Sequence, residues 1–230
     1  MDNFSTLRSA QAPVIKARSR CRKKFLYYFP DGFKDETYID WERAYKWNAH
    51  LEWQNLLNKK DFLQLLAESD YLEIARRAIK LESRTNLLFS FEKMALRDAV
   101  RTAGCARIFA EGLFHHIYGA ASAQDRFELF KETITSLPRK QTRVLTWPLL
   151  TVFGFIAEPG EFIFLKPKVT RIAAEKYQFD FQYQSKPNWQ TYQSLLQFAK
   201  EVKRDVADWK PRDLIDIQSF IWVMGSDEYP

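Results

Sequence analysis

The histidines of this chain are the first residues whose chemistry suggests a reaction, because a neutral imidazole binds metal ions and titrates near neutral pH. Glu111 lies four residues before His115, so the two side chains can share one face of a helix, while the adjacent His116 points elsewhere. A zinc-protease helix would carry a second histidine four residues after the first, and that residue is missing here. We expect His116 to pack in the core and His115 to be solvated, and we keep Glu111, His115 and His116 as an alternative metal site.

Other catalytic patterns are missing from the sequence. It contains no glycine-rich phosphate loop of the GxGxxG or GxxxxGK[ST] type and no GxSxG nucleophile elbow. Cys21 and Cys105 are the only thiols, too few for a disulfide framework or a four-thiolate zinc site. We therefore expect a non-catalytic protein without a cofactor, located in the reducing cytoplasm. No run of eighteen apolar residues occurs, so we expect no membrane span.

Charge is the most informative feature of the chain. Residues 1–24 hold seven basic residues and one acidic residue, a surplus of six that equals the formal net charge of the whole protein, +6. A second basic tract runs from Arg139 to Lys176, with seven basic and three acidic residues. Residues 25–69 and 201–230 are each three charges negative, so the body of the protein is expected to be electrically polarised.

These two basic segments predict a cytoplasmic protein that binds the backbone of DNA or RNA with little base reading. The start of a helix near Lys166 adds free backbone N–H groups that attract anions. The apolar neighbours Phe162 and Phe164 are expected in the core rather than as stacking surfaces. The predicted phosphate-binding residues are Arg18, Arg20, Arg22, Lys23, Lys24, Arg139, Lys140, Arg143, Lys166, Lys168 and Arg171.

Two alternative functions remain open at the level of sequence. The first is a regulatory subunit or homo-oligomer that uses an aromatic surface to bind a protein partner, with Trp41, Tyr45, Trp53 and Trp222 as its interface. The second is a metal-assisted enzyme without a recognisable motif, acting through the Glu111 and histidine group. Asp213 and Asp216, three residues apart at the start of the last helix, are explained by helix capping or by binding a cation or an arginine.

The elements that position these residues are predicted to be mainly helical. Aromatic and apolar residues recur every three or four positions from Tyr38 to Leu56, with Asp35 or Thr37 as the cap, and Ser122 and Asn188 begin two further helices. The segment 142–184 is instead rich in β-branched and aromatic residues. We predict an antiparallel hairpin near 143–166, covered on both faces, and a half-buried strand near 179–184.

The predicted fold is therefore α+β, mainly α, with a small, largely antiparallel sheet late in the chain. Residues 1–24 are expected to form a flexible basic arm. Residues 25–230 are expected to form one compact domain with helices over 34–137, a β-containing part over 142–184 and helices over 188–224.

Overall fold

A computed structural model describes residues 3–140 and 142–230, with side chains from Ala12 onward. Residues 1, 2 and 141, including the start of the predicted arm, lie outside the described residues. All regular secondary structure in the described ranges is helical. The twelve α-helices of these ranges are α1 Asn3–Tyr28, α2 Glu36–Tyr38, α3 Ala44–Leu56, α4 Lys59–Ala67, α5 Tyr71–Ser83, α6 Ser90–Ala99, α7 Ala103–Tyr118, α8 Ala123–Ser136, α9 Trp147–Ala157, α10 Pro167–Tyr177, α11 Trp189–Asp205 and α12 Leu214–Gly225.

The hairpin predicted near 143–166 is wrong, because helix α9 occupies its centre. The Thr146 side chain caps this helix by accepting a hydrogen bond from the Leu149 backbone N–H at 3.3 Å, and Pro148 stands in the first turn. Every residue of α9 is buried. A helix enclosed on all sides has the same unbroken apolar sequence as a strand covered on both faces, so periodicity alone could not separate the two.

The strand predicted near 179–184 is also wrong, although the alternation that suggested it is present. Aromatic side chains in this segment are half-buried and the polar ones between them are exposed. Hydroxyl groups of α11 take the place of a neighbouring strand: Ser194 accepts from the Gln182 backbone N–H, and Thr191 accepts from the Gln184 backbone N–H, both at 3.0 Å. The described chain therefore contains no sheet, and the α+β prediction is replaced by an all-helical fold.

The basic segment expected as a flexible arm is helical from Asn3 onward, as part of α1. Ala17, Cys21 and Phe25 recur every fourth residue on α1, and all three side chains are buried. This face packs against α10 and α12. The second half of the predicted arm is therefore docked on the helical body through an apolar stripe.

The aromatic helix predicted from Tyr38 onward is confirmed, together with its cap. The Asp35 side chain accepts hydrogen bonds from the backbone N–H groups of Thr37 and Tyr38, and a π-helical turn, Ile39–Arg43, joins α2 to α3 without a break. Tyr38 and Trp53 are fully buried. The stripe that the sequence shows therefore serves mainly to pack this helix against the protein's own core.

Helix α12 is buried on nearly all sides and packs against α10, α1 and α11. Its buried Asp216 carboxylate accepts hydrogen bonds from Tyr38 at 2.6 Å, Arg43 at 2.8 Å and Arg212 at 3.0 Å. Asp213 caps the helix and also pairs with Arg43 at 2.6 Å. Capping by Asp213 and the pairing of both aspartates with an arginine are confirmed. The pairs hold the start of α12 against the π-helical turn.

Across the described ranges, none of the helices is both long enough and apolar enough to cross a bilayer.

Candidate functional site

Two adjoining cavities in the described part of the chain form a groove. The Gln218 cavity, of about 600 Å³, lies between the π-helical turn, the loop after α5, α12 and the C-terminal residues. The Phe91 cavity, of about 660 Å³, lies between the start of α6, the segment before α9, the start of α10 and the end of α12. The two cavities share Phe89, Lys166, Trp222 and Glu228, so they form one continuous surface, which we call the groove.

Two aromatic rings stand exposed on the wall of the Phe91 cavity. Phe89 and Phe91 stack on each other with ring centres 5.4 Å apart and planes at 19°, and they are 53% and 49% exposed. The buried carboxylate of Glu92 holds this turn, because it accepts from the Phe89 backbone N–H at 3.1 Å and from the Thr146 hydroxyl at 2.8 Å. An ordered pair of aromatic rings that is left half in water is typical of a binding surface.

Lys166 lies where the two cavities meet. Its ammonium donates to the Leu87 carbonyl oxygen at 2.9 Å and lies 3.6 Å above the centre of the Phe89 ring. Burial lowers the pKa of the Lys166 amine below its ordinary value, and the carboxylates of Glu92 and Glu82 act in the opposite direction. The side chain therefore brings a partly desolvated cation to the centre of an aromatic surface.

Three more residues of the predicted basic tract surround the Phe91 cavity. Arg143 and Lys168 line it, and the Arg171 guanidinium lies 5.2 Å from the ring centre of Tyr183, which also lines it. Lys168 pairs with Asp227 at 2.8 Å, whereas Arg143 forms no ion pair within the described part of the chain. The tertiary structure thus gathers Arg143, Lys166, Lys168 and Arg171, which are spread over 29 positions of the sequence, around one cavity.

The predicted cations of the N-terminal segment are placed differently. Arg18 pairs with Glu201 at 2.5 Å and Asp205 at 3.0 Å, and Arg22 pairs with Asp208 at 2.7 Å. These contacts place the two arginines against carboxylates of the acidic segment 201–230. The remaining predicted residues lie as follows: Lys24 donates to the Tyr229 carbonyl oxygen, Lys140 lies 3.7 Å from Asp98, and Arg20, Lys23 and Arg139 are exposed.

The aromatic residues proposed as a partner interface separate into two groups. Trp41, Tyr45 and Trp222 all line the Gln218 cavity, and Trp41 is 58% exposed at its rim. Trp53 is fully buried and donates its indole N–H to the Tyr118 hydroxyl at 2.9 Å. Three of the four residues therefore belong to the same groove as the basic tract, and Trp53 belongs to the core.

The alternative metal residues do not converge. His116 is buried and stacks on Phe130 with ring centres 4.5 Å apart, and burial lowers its pKa to about 3. His115 is exposed on the same helix, and Glu111 pairs with Arg107 at 2.8 Å. Within residues 3–140 and 142–230 no group of three or more His, Cys, Asp or Glu side chains is placed to hold a metal ion.

Sequence reasoning missed the polar floor of the Gln218 cavity. The buried Glu42 carboxylate accepts from Lys46 at 3.0 Å and from the Tyr229 hydroxyl at 2.7 Å. Gln218 lines the same cavity and is only 4% exposed, and its side-chain oxygen has no hydrogen-bond partner among the described residues. The signal available in the sequence was a glutamine and a serine, Gln218 and Ser219, in a buried helix whose other residues, apart from Asp216, are apolar.

Searches with this chain found no matching family model, no matching curated protein and no matching solved structure, so its function must be inferred from the groove itself.

Proposed function

We propose that the protein binds single-stranded nucleic acid in the groove, without a catalytic step. The observation that carries this proposal is the exposed stack of Phe89 and Phe91 with Arg143, Lys166 and Lys168 around it. Proteins that bind single strands combine aromatic rings, on which bases stack, with cations that follow the phosphates. The groove offers both within one surface, and the two cavities give it room for more than one nucleotide.

The site differs from the one that net charge suggested. Arg18 and Arg22 are held by carboxylates of the C-terminal part of the chain, so their charge is largely neutralised within the protein. The groove cations Arg143 and Lys166 have no carboxylate partner of this kind among the described residues. The free thiols Cys21 and Cys105 are compatible with a reducing compartment, and we propose a cytoplasmic location.

The direct test is fluorescence anisotropy with a fluorescein-labelled oligothymidylate of about twelve nucleotides and the matching duplex. Phe89→Ala and Phe91→Ala should each weaken single-strand binding by about fivefold to 150-fold, because stacking on one aromatic ring contributes about 1–3 kcal/mol. The matched control is Tyr27→Ala, since Tyr27 is an exposed aromatic residue on α1 outside the groove. Equal binding by wild type and both phenylalanine variants contradicts the proposal, as does a clear preference for duplex.

A second candidate function, binding of a protein partner, is favoured by the exposure of Trp41 next to Tyr45 and Trp222. The two functions differ in their response to salt. Nucleic-acid binding through cations weakens steeply as salt rises, whereas an apolar aromatic interface is retained or strengthened. Capture of a partner that survives high salt and is lost in Trp41→Ala would favour the second function.

A further inference from the structure

The Gln218 cavity carries a more specific inference, which rests on the proposed function. Its most unusual group is the Gln218 side-chain oxygen, which is buried and has no hydrogen-bond partner among the described residues, although the side chain lines an open cavity. Buried polar atoms are almost always hydrogen-bonded, and an unpaired acceptor costs about 1–3 kcal/mol. This group therefore indicates a ligand that donates a hydrogen bond to it.

The walls of the cavity restrict the shape of that ligand. Trp41, Tyr45, Phe89 and Trp222 contribute aromatic side chains to the lining, and such walls favour a flat ring that can lie against them. The volume of about 600 Å³ is in the range of sites for small organic ligands. A single nucleobase with its sugar is therefore the part of a nucleic acid that suits this space.

The polar groups restrict its chemistry. An amide side chain presents an acceptor next to a donor, and it pairs with a base edge that offers a donor next to an acceptor, as glutamine does with adenine. The neighbouring Glu42 is fixed by Lys46 and Tyr229, and its carboxylate adds acceptors but no donor. An exocyclic amino group has two N–H donors for these acceptors, so the cavity favours a base whose Watson–Crick edge carries an amino group beside an unprotonated ring nitrogen. Adenine and cytosine have this edge, whereas the ring nitrogen of guanine is protonated and thymine has no amino group.

Lys166 stands at the junction of the two cavities, where the backbone of such a nucleotide would enter. Only one hydrogen bond of its ammonium is made within the described residues, to the Leu87 carbonyl oxygen. The remaining N–H groups are available to a phosphate oxygen. We propose that the Gln218 cavity takes one unstacked adenine or cytosine of a bound strand, with Gln218 pairing to the base edge and Lys166 contacting the phosphate.

The experiment compares labelled oligothymidylates that carry a single central adenine, cytosine, guanine or abasic site. The wild-type protein should bind the adenine or cytosine strand at least about fivefold more tightly than the guanine, all-thymine and abasic strands. Gln218→Leu should abolish this preference, so that the adenine and cytosine strands bind no more tightly than the all-thymine and abasic strands. The matched control is Gln190→Leu, since Gln190 is exposed on α11 away from the groove and should keep the preference.

A second readout does not depend on nucleic acid. If the Gln218 oxygen is unpaired in the free protein, Gln218→Leu should leave the melting temperature unchanged or raise it, whereas loss of a paired structural glutamine would lower it. A lowered melting temperature would therefore contradict the assignment. A variant that fails to fold is the extreme case of this outcome and contradicts the assignment as well.

The failures of the two proposals are distinguishable. Equal wild-type binding to all strands, still dependent on Phe89, would overturn the base assignment and leave single-strand binding standing. Adenosine or cytidine monophosphate that binds through Gln218 while no oligonucleotide binds would support the cavity assignment and overturn the proposed function. Absence of binding by both oligonucleotides and mononucleotides would overturn both.

Discussion

Removing one carboxylate should strengthen nucleic-acid binding if the groove is the site. Asp227 lies 2.8 Å from Lys168, and the hydrogen bond from Lys168 lowers the pKa of Asp227, so the carboxylate is charged at neutral pH. In Asp227→Asn, Lys168 is freed for a phosphate, and a single-strand contact adds about 0.7 to the salt slope of the association constant. If binding extrapolated to 1 M salt is unchanged, affinity should rise about eightfold at about 50 mM salt and about threefold at about 200 mM.

The assay is anisotropy of labelled oligothymidylate over a series of salt concentrations. Glu111→Gln is the matched control, because it frees Arg107 from a 2.8 Å ion pair and changes net charge by the same amount on α7, away from the groove. Only Asp227→Asn should steepen the slope. The groove proposal is refuted if the two variants behave alike, or if Asp227→Asn binds no more tightly at low salt than the wild-type protein.

Three further predictions concern stability. Burial lowers the pKa of His116 to about 3, so between about pH 6.5 and pH 4 His116 is protonated in the unfolded chain but not in the folded protein. The free energy of unfolding of the wild-type protein should therefore fall by about 1.4 kcal/mol per pH unit over this range relative to that of His116→Phe. Urea titrations followed by tryptophan fluorescence test this, and equal pH dependence of the two proteins contradicts it. Asp216→Ala leaves the buried Arg43 guanidinium without one of its carboxylate partners, so the free energy of unfolding should fall by about 3–5 kcal/mol in the same assay. A fall of less than about 1 kcal/mol would contradict this role of the ion pair. In Gly225→Ala the new methyl group would lie 2.0 Å from the Val169 carbonyl oxygen, so calorimetry should show that the free energy of unfolding falls by about 1–3 kcal/mol. The control Gly104→Ala has open space around the new methyl group and should leave stability unchanged. Equal effects of the two substitutions would contradict the close approach of α12 and α10.

Local signals in the sequence predicted most of the helices and the caps of three of them. Asp35, Ser122 and Asn188 cap helices through side-chain oxygens that accept backbone N–H groups, as expected. This success has a local cause, because a cap and a repeat of three to four residues act within one or two turns of chain. Burial of Phe162 and Phe164 was also predicted, since apolar composition reports burial whatever the backbone does.

Helix α9 and the segment 179–184 are segments whose secondary structure the local sequence patterns did not predict. The former is apolar at almost every position because it is enclosed, and the latter alternates because one side of it rests on α11. Neither sequence pattern shows which groups form hydrogen bonds with the backbone of its segment. That is decided by tertiary contacts, here the helical ladder of α9 and the hydroxyls of Thr191 and Ser194.

By itself the sequence determined most of the helices, the apolar core and the number of charges, because these depend on composition and on neighbours a few residues apart. Only the tertiary structure decided which charges remain available: it pairs Arg18 and Arg22 with the acidic C-terminal part and leaves Arg143 and Lys166 beside exposed rings. The groove joins residues from Trp41 to Tyr229, and Coulomb and stacking interactions act over a few ångströms. The candidate site therefore depends on which residues lie close together in the folded protein, and the order of the residues in the sequence does not show this.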